Sequence, residues 1–154
     1  MAFFCLFAKA DICKYHICNF EFVWDMKLKH FNLQLGTQFL KAFSDESRIR
    51  IVHLLFKNKE MCISDIEMVL DFTQTKTSRH LIYLKNAGLV DAKKVDQWTY
   101  YSIKEEVSEF VEMIYKYLGK DPNLLTDLKN YNTLYNNREL AICKLHSRKW
   151  MHQN

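Results

Sequence analysis

TQTKTSRHLIYLKNAGLV, residues 73–90, is the stretch on which the reading of this chain turns. Thr73 is a good helix N-cap, and Gly88 stands where a helix that has just ended favours a left-handed residue. At about 100° per residue, Thr77, Leu81, Leu84 and Gly88 fall on one side of the predicted helix, which must face a core. Thr75, Lys76, Arg79, Tyr83 and Asn86 fall on the other. Thr73 to Asn86 carries Lys76, Arg79 and Lys85 without an acid, whereas Ile63 to Asp71 carries Asp65, Glu67 and Asp71 without a base. A helix whose outward face is cationic, amide-rich and free of carboxylate is suited to a polyanion. Arg79 can pair with guanine, Gln74 and Asn86 with adenine, Thr75 or Thr77 can meet a thymine methyl, and Lys76 and Lys85 suit phosphates. The competing reading is a solvated basic face.

Upstream, Leu35, Phe39, Ala42 and Phe43 mark the apolar face of a first helix beginning near Phe31. Ser44-Asp45-Glu46-Ser47 offers caps for a second, whose Ile49, Val52, Leu55 and Phe56 repeat at helical spacing to Lys59. A short third helix carries Ile66, Val69 and Leu70 and starts at Ser64 or at Met61. Downstream, Leu89–Val95 and Thr99–Ile103 are rich in β-branched and aromatic residues and read as a hairpin around Asp96 and Gln97. Val107, Phe110, Val111, Ile114, Tyr117 and Leu118 restore the helical stripe, and a last helix is expected from about Leu124 to His146. Two short helices joined by a tight turn and followed by a hairpin are the plan of a winged helix-turn-helix, a mainly α fold with a two-stranded β-hairpin wing.

The whole composition agrees. Its 154 residues include only three Gly and one Pro, too few for a β-sandwich or a phosphate-cradling loop, and neither dinucleotide-binding nor P-loop glycine motifs occur. The apolar stretch Phe3 to Ala8, even with Met1 and Ala2 before it, is far below the roughly 20 residues needed to span a bilayer. No membrane partner and a cytoplasmic location are expected. No ordered nucleophile and base come with an oxyanion-type glycine, so an enzyme is not expected. Net charge is +4, with the excess lying at the two ends: four basic and three acidic residues in 1–30, twelve of each in 31–118, and six against three in 119–154. The expected organisation is an N-terminal extension (1–30), a DNA-binding and dimerisation domain (31–118) and a C-terminal helical extension (119–154). Residues 1–25 hold five of the eleven Phe and three of the five Cys without a sustained period, and Met26 is an alternative start of translation.

FLKAFSDESRIRIVHLL, Phe39 to Leu55, resembles the opening of the ArsR-type (ArsR/SmtB) winged-helix repressors, and Thr73 to Val90 is similar to that family's recognition helix, with Ser78-Arg79-His80-Leu81, Leu84 and Ala87-Gly88-Leu89-Val90 at its spacings. Tyr100-Tyr101-Ser102-Ile103 closes the wing as the family does. The resemblance covers about residues 31–118. It implies a homodimeric transcriptional repressor that binds double-stranded DNA at an inverted-repeat operator. By similarity, DNA contacts fall on Gln74, Ser78, Arg79, His80 and Tyr83, with Lys93, Lys94 and Gln97 in the wing, and the outward face adds Thr75 and Lys76; His80 has packing against another helix as its alternative role. A winged helix that binds protein partners instead of DNA is the rival reading.

Family members often sense metals through two cysteines one residue apart on the third helix. Here Cys62 matches the first position and Ser64 replaces the second, a poor donor for soft ions. Cys13 and Cys18 from the N-terminal extension are candidates to complete a three-thiolate site for a soft metal ion. The helix 107–118 has Glu109 and Glu112 but no histidine, so the family's other metal site is not expected. Cys143, His146 and His152 are a weaker grouping. A redox role is open if Cys62 is exposed near a helix N-terminus with a lowered thiol pKa.

Overall fold

The computed structural model describes residues 31–95 and 98–143. Cys13, Cys18, Gln97 and the tail from Lys144, including His146 and His152, lie outside the described residues. The elements run α1 (Leu33–Ala42), α2 (Glu46–Asn58), β1 (Glu60–Cys62), α3 (Ile63–Leu70), α4 (Gln74–Asn86), β2 (Val90–Val95), β3 (Trp98–Ile103), a 3-10 turn (Glu105–Val107), α5 (Ser108–Leu118) and α6 (Pro122–Asn136).

Most helices start where a short polar side chain accepts an otherwise unpaired N–H. Asn32 accepts from Leu35, Asp45 from Arg48, Thr73 from Lys76 and Asp121 from Asn123, the last with Pro122 in the first turn. Helix α4 ends as its glycine requires: Gly88 has φ 81°, and the Leu89 N–H reaches back to the Leu84 carbonyl at 3.0 Å.

The expected two-stranded wing is present as β2 and β3, and a third strand joins it in the order β1-β3-β2, antiparallel throughout. Glu60, Met61 and Cys62 pair with Ser102, Tyr101 and Tyr100. That pairing removes Met61 and Cys62 from the third helix, which begins at Ile63 without a side-chain cap, earlier than Ser64 and later than Met61. The last predicted helix is broken rather than continuous, with a helical turn resuming at Ala141. Helix α6 stops at Asn136, the chain turns through Arg138 at φ 57°, and Leu140, Ala141 and Ile142 come back into the core.

Phe39, Ile51, Leu54, Leu55, Ile66, Leu81, Leu84 and Leu89 are fully buried and join α1 to α4 and the start of β2 in one core. Thr77, Leu81 and Leu84 are inward, as the periodicity predicts. Helices α1 and α5 spend only part of their apolar surface on this core: Leu33, Leu40, Met113 and Tyr117 remain exposed. Among the described residues no helix is long and apolar enough to cross a membrane.

Candidate nucleic-acid interface

Helix α4 is presented by α3 and by the three-residue turn Asp71-Phe72-Thr73, in which Asp71 takes the left-handed conformation at φ 53°. The inward side chains lock its rotation. Thr77 is fully buried and its hydroxyl donates to the Thr73 carbonyl at 3.1 Å, while Leu81 and Leu84 fill the core. Four residues after α4 ends at Asn86, β2 leaves at Val90 and pairs with β3 from Val90–Ile103 to Val95–Trp98, forming the wing.

The sequence-predicted contact residues fall into three groups. Gln74, Thr75, Lys76 and Arg79 are exposed on α4, and no carboxylate lies between them. The Lys76 ammonium sits 3.6 Å from the centroid of the Phe72 ring, a cation–π contact that holds its stem against the turn. Lys93 and Lys94 are exposed on the wing opposite Tyr100 and Thr99. Ser78 and His80 are half-buried, and Tyr83 is exposed but engaged. His80 turns toward the start of α2, with Nδ1 3.8 Å from an Asp45 carboxylate oxygen. Burial holds its pKa below the ordinary histidine value, Asp45 opposes that shift, and Arg48 and Lys76 reinforce it. Of the two roles open to His80, packing against another helix is the one its position favours. Tyr83 carries the Arg48 guanidinium at 4.3 Å from its ring centroid, a contact that periodicity along one helix does not reveal.

The redox reading of Cys62 is overturned. Its side chain is 0% exposed, its sulfur lies 3.0 Å from the Ser64 hydroxyl, and burial pushes its thiol up to about 11 despite that hydrogen bond. An unexposed, protonated thiol is inert rather than reactive. Among the described residues no three His, Cys, Asp or Glu side chains come together to hold a metal ion. Cys62, with Ser64 as its neighbour, does not by itself fit a soft ion. Asp65, an acid of no assigned role in the sequence, is fully buried and accepts the backbone N–H groups of Ala141 at 2.7 Å and Ile142 at 3.3 Å. Ala141 in turn packs against Cys62 and Tyr100.

Residues 45–92 match the model of a family described as bacterial regulatory protein, arsR family. The arsenical resistance operon repressor of Escherichia coli is 35% identical over 80 residues, covering 52% of this chain and 68% of the relative. The chain belongs to the ArsR family. A second relative, the cadmium resistance transcriptional regulatory protein of Listeria innocua, is 41% identical over 78 residues, or 51% of this chain and 66% of the relative's length. Among solved structures, the homodimeric winged helix-turn-helix DNA-binding domain of a possible ArsR-family regulator from Mycobacterium bovis superposes with a TM-score of 0.52 at 27% identity, over 55% of this chain and 78% of that one. These matches bear out both the family and the winged helix-turn-helix expected from the sequence. The relatives are regulators of transcription, not enzymes.

Proposed function

We propose that this ArsR-family chain is a homodimeric transcriptional repressor that binds an inverted-repeat operator, with α4 in the major groove and the wing on the flanking backbone. The observation that carries the reading is the exposed, carboxylate-free face of α4 bearing Gln74, Thr75, Lys76 and Arg79 on a helix whose other side is locked by Thr77, Leu81 and Leu84. Arg79 is the candidate for a bidentate guanine contact and Gln74 for adenine, while Lys76, Ser78, Lys93 and Lys94 suit phosphates.

A dimer accounts for the apolar side chains left open on α1 and α5, since a monomer rarely leaves such faces to water. It would place two copies of α4 in successive major grooves, about 34 Å apart along the duplex. Such a regulator works in the cytoplasm.

Fluorescence anisotropy of the purified full chain on its own upstream DNA and on a shuffled duplex, at two salt concentrations, tests the reading. Tighter binding to the upstream duplex, with affinity falling steeply as salt rises, is expected. Equal or absent binding contradicts it and favours the rival, a winged helix that docks on protein.

A further inference from the structure

Two contacts join the corner between α1 and α2 to the outward edge of α4. Arg48, in the first turn of α2, donates from Nε to the Ala42 carbonyl at 2.7 Å and from Nη2 to the Lys41 carbonyl at 2.8 Å, with Ser44 Oγ at 3.4 Å. The face of the same guanidinium lies over the Tyr83 ring. One turn earlier on each helix, Asp45 faces His80. Asp45 with Arg48 and His80 with Tyr83 are both i, i+3 pairs, so successive turns of α4 rest on one corner.

The placement of Arg48 is unusual for a helix start. A cation in the first turn opposes the dipole of its own helix, and here it is compensated by the carbonyl end of α1, which attracts positive charge. Only a planar guanidinium serves all of these partners: its edge supplies the in-plane N–H groups for two carbonyls while its face is left for an aromatic ring. A lysine ammonium is a point charge and cannot do both. Tyr83, one turn from Arg79, is thereby held from beneath while 41% of it stays open to solvent.

We infer that Arg48 is a positioning residue for DNA reading: it acts through Tyr83 rather than by touching the duplex, fixing the angle at which the outward edge of α4 meets the groove. It also makes the last turn of α1 part of that setting, so a shift of α1 is felt at the reading face. The inference rests on α4 being the DNA-reading helix.

The experiment compares the full chain with its Arg48→Lys, Tyr83→Phe, Tyr83→Leu and Arg48→Lys/Tyr83→Leu variants by anisotropy on the upstream and shuffled duplexes across a salt series. Arg48→Lys is expected to lose about tenfold in upstream affinity, the scale of a well-placed cation–π contact, with an unchanged salt slope. Tyr83→Leu, which leaves the α1 cap untouched, should show the same loss, and adding Arg48→Lys to it should cost little more. Tyr83→Phe keeps the ring and should bind nearly as the parent does.

A salt slope lowered by about one unit in Arg48→Lys would make Arg48 a phosphate contact and overturn the inference. So would additive losses in the double variant, or a Tyr83→Phe loss as large as that of Tyr83→Leu, which would assign the effect to the hydroxyl. If Arg48→Lys fails to fold, the Tyr83 pair still decides between ring and hydroxyl. A parent chain that does not prefer its upstream duplex removes the DNA-binding reading and the inference with it, whereas a discriminating parent matched by Arg48→Lys removes the inference alone.

Discussion

Arg50 on α2 and Asp127 on α6 form a two-pronged ion pair, Nε to Oδ2 at 2.8 Å and Nη2 to Oδ1 at 2.7 Å, that fastens the C-terminal extension to the DNA-binding unit. Asp127 is almost fully buried, whereas the Arg50 side chain keeps 23% of its surface in solvent. The two hydrogen bonds raise the arginine pKa further, and burial works against them. Leu124, Tyr131, Leu140 and Ile142 share the same core, so the described part of the extension, residues 119–143, packs on the DNA-binding unit.

Removing the carboxylate leaves a partly buried guanidinium unpaired. Asp127→Ala is expected to cost about 2–3 kcal/mol, below the range for a wholly buried pair because Arg50 can still reach water. The midpoint of urea unfolding reads it, and a change under 0.5 kcal/mol would show that the pair contributes little.

Asp65 caps the returning segment at Ala141 and Ile142, and that segment covers Cys62. Asp65→Ala should destabilise the chain by about 1–2 kcal/mol, as loss of a cap does. It should also speed labelling of Cys62 by a thiol reagent, measured in a background in which Cys5, Cys13, Cys18 and Cys143 are all replaced by serine. In that background without Asp65→Ala, with the Cys62 thiol held up to about 11, labelling near neutral pH should be slow. Fast labelling of Cys62 there would contradict its burial.

His53 is buried against Tyr115, with ring centroids 4.9 Å apart, and its Nδ1 has no hydrogen-bond partner among the described residues. Its pKa is lowered, first by burial and then by Lys57, with Asp127 opposing. The folded state therefore binds its proton less readily than the unfolded chain does. Stability should be unaffected by His53 above its unfolded pKa of about 6.5 and should fall as pH drops below that value toward the folded pKa. His80 shifts in the same direction, so unfolding midpoints between pH 7.5 and 5 should be compared for the parent, His53→Gln and His80→Gln. If His53→Gln leaves the slope intact, the titration belongs elsewhere.

Much of this architecture was legible along the chain because it depends on local pattern. Thr77, Leu81 and Leu84 point inward and Gly88 takes a positive φ because helical spacing and a glycine's lack of Cβ act over a single turn. The strand Glu60–Cys62 escaped because three residues carry no period, and it exists only through its pairing with Tyr100 to Ser102. The break after Asn136 escaped because apolar spacing continues through Ile142, while the turn is fixed by Leu140 in the core and by a cap from Asp65, 76 residues upstream of Ala141. In the candidate site, the exposed cations of α4 followed from periodicity. The support of Tyr83 by Arg48 did not, since it joins two helices whose relative placement only the folded core determines.

Whether α4 reads bases is decided by methylation interference on the upstream duplex, with Arg79→Ala beside the parent chain. Two patches of guanine N7 interference about one helical turn apart are predicted, and Arg79→Ala should weaken binding by about 1–3 kcal/mol while erasing interference at the guanine it contacts. Binding that is indifferent to guanine methylation and to Arg79→Ala would contradict the assignment of α4 as the reading helix.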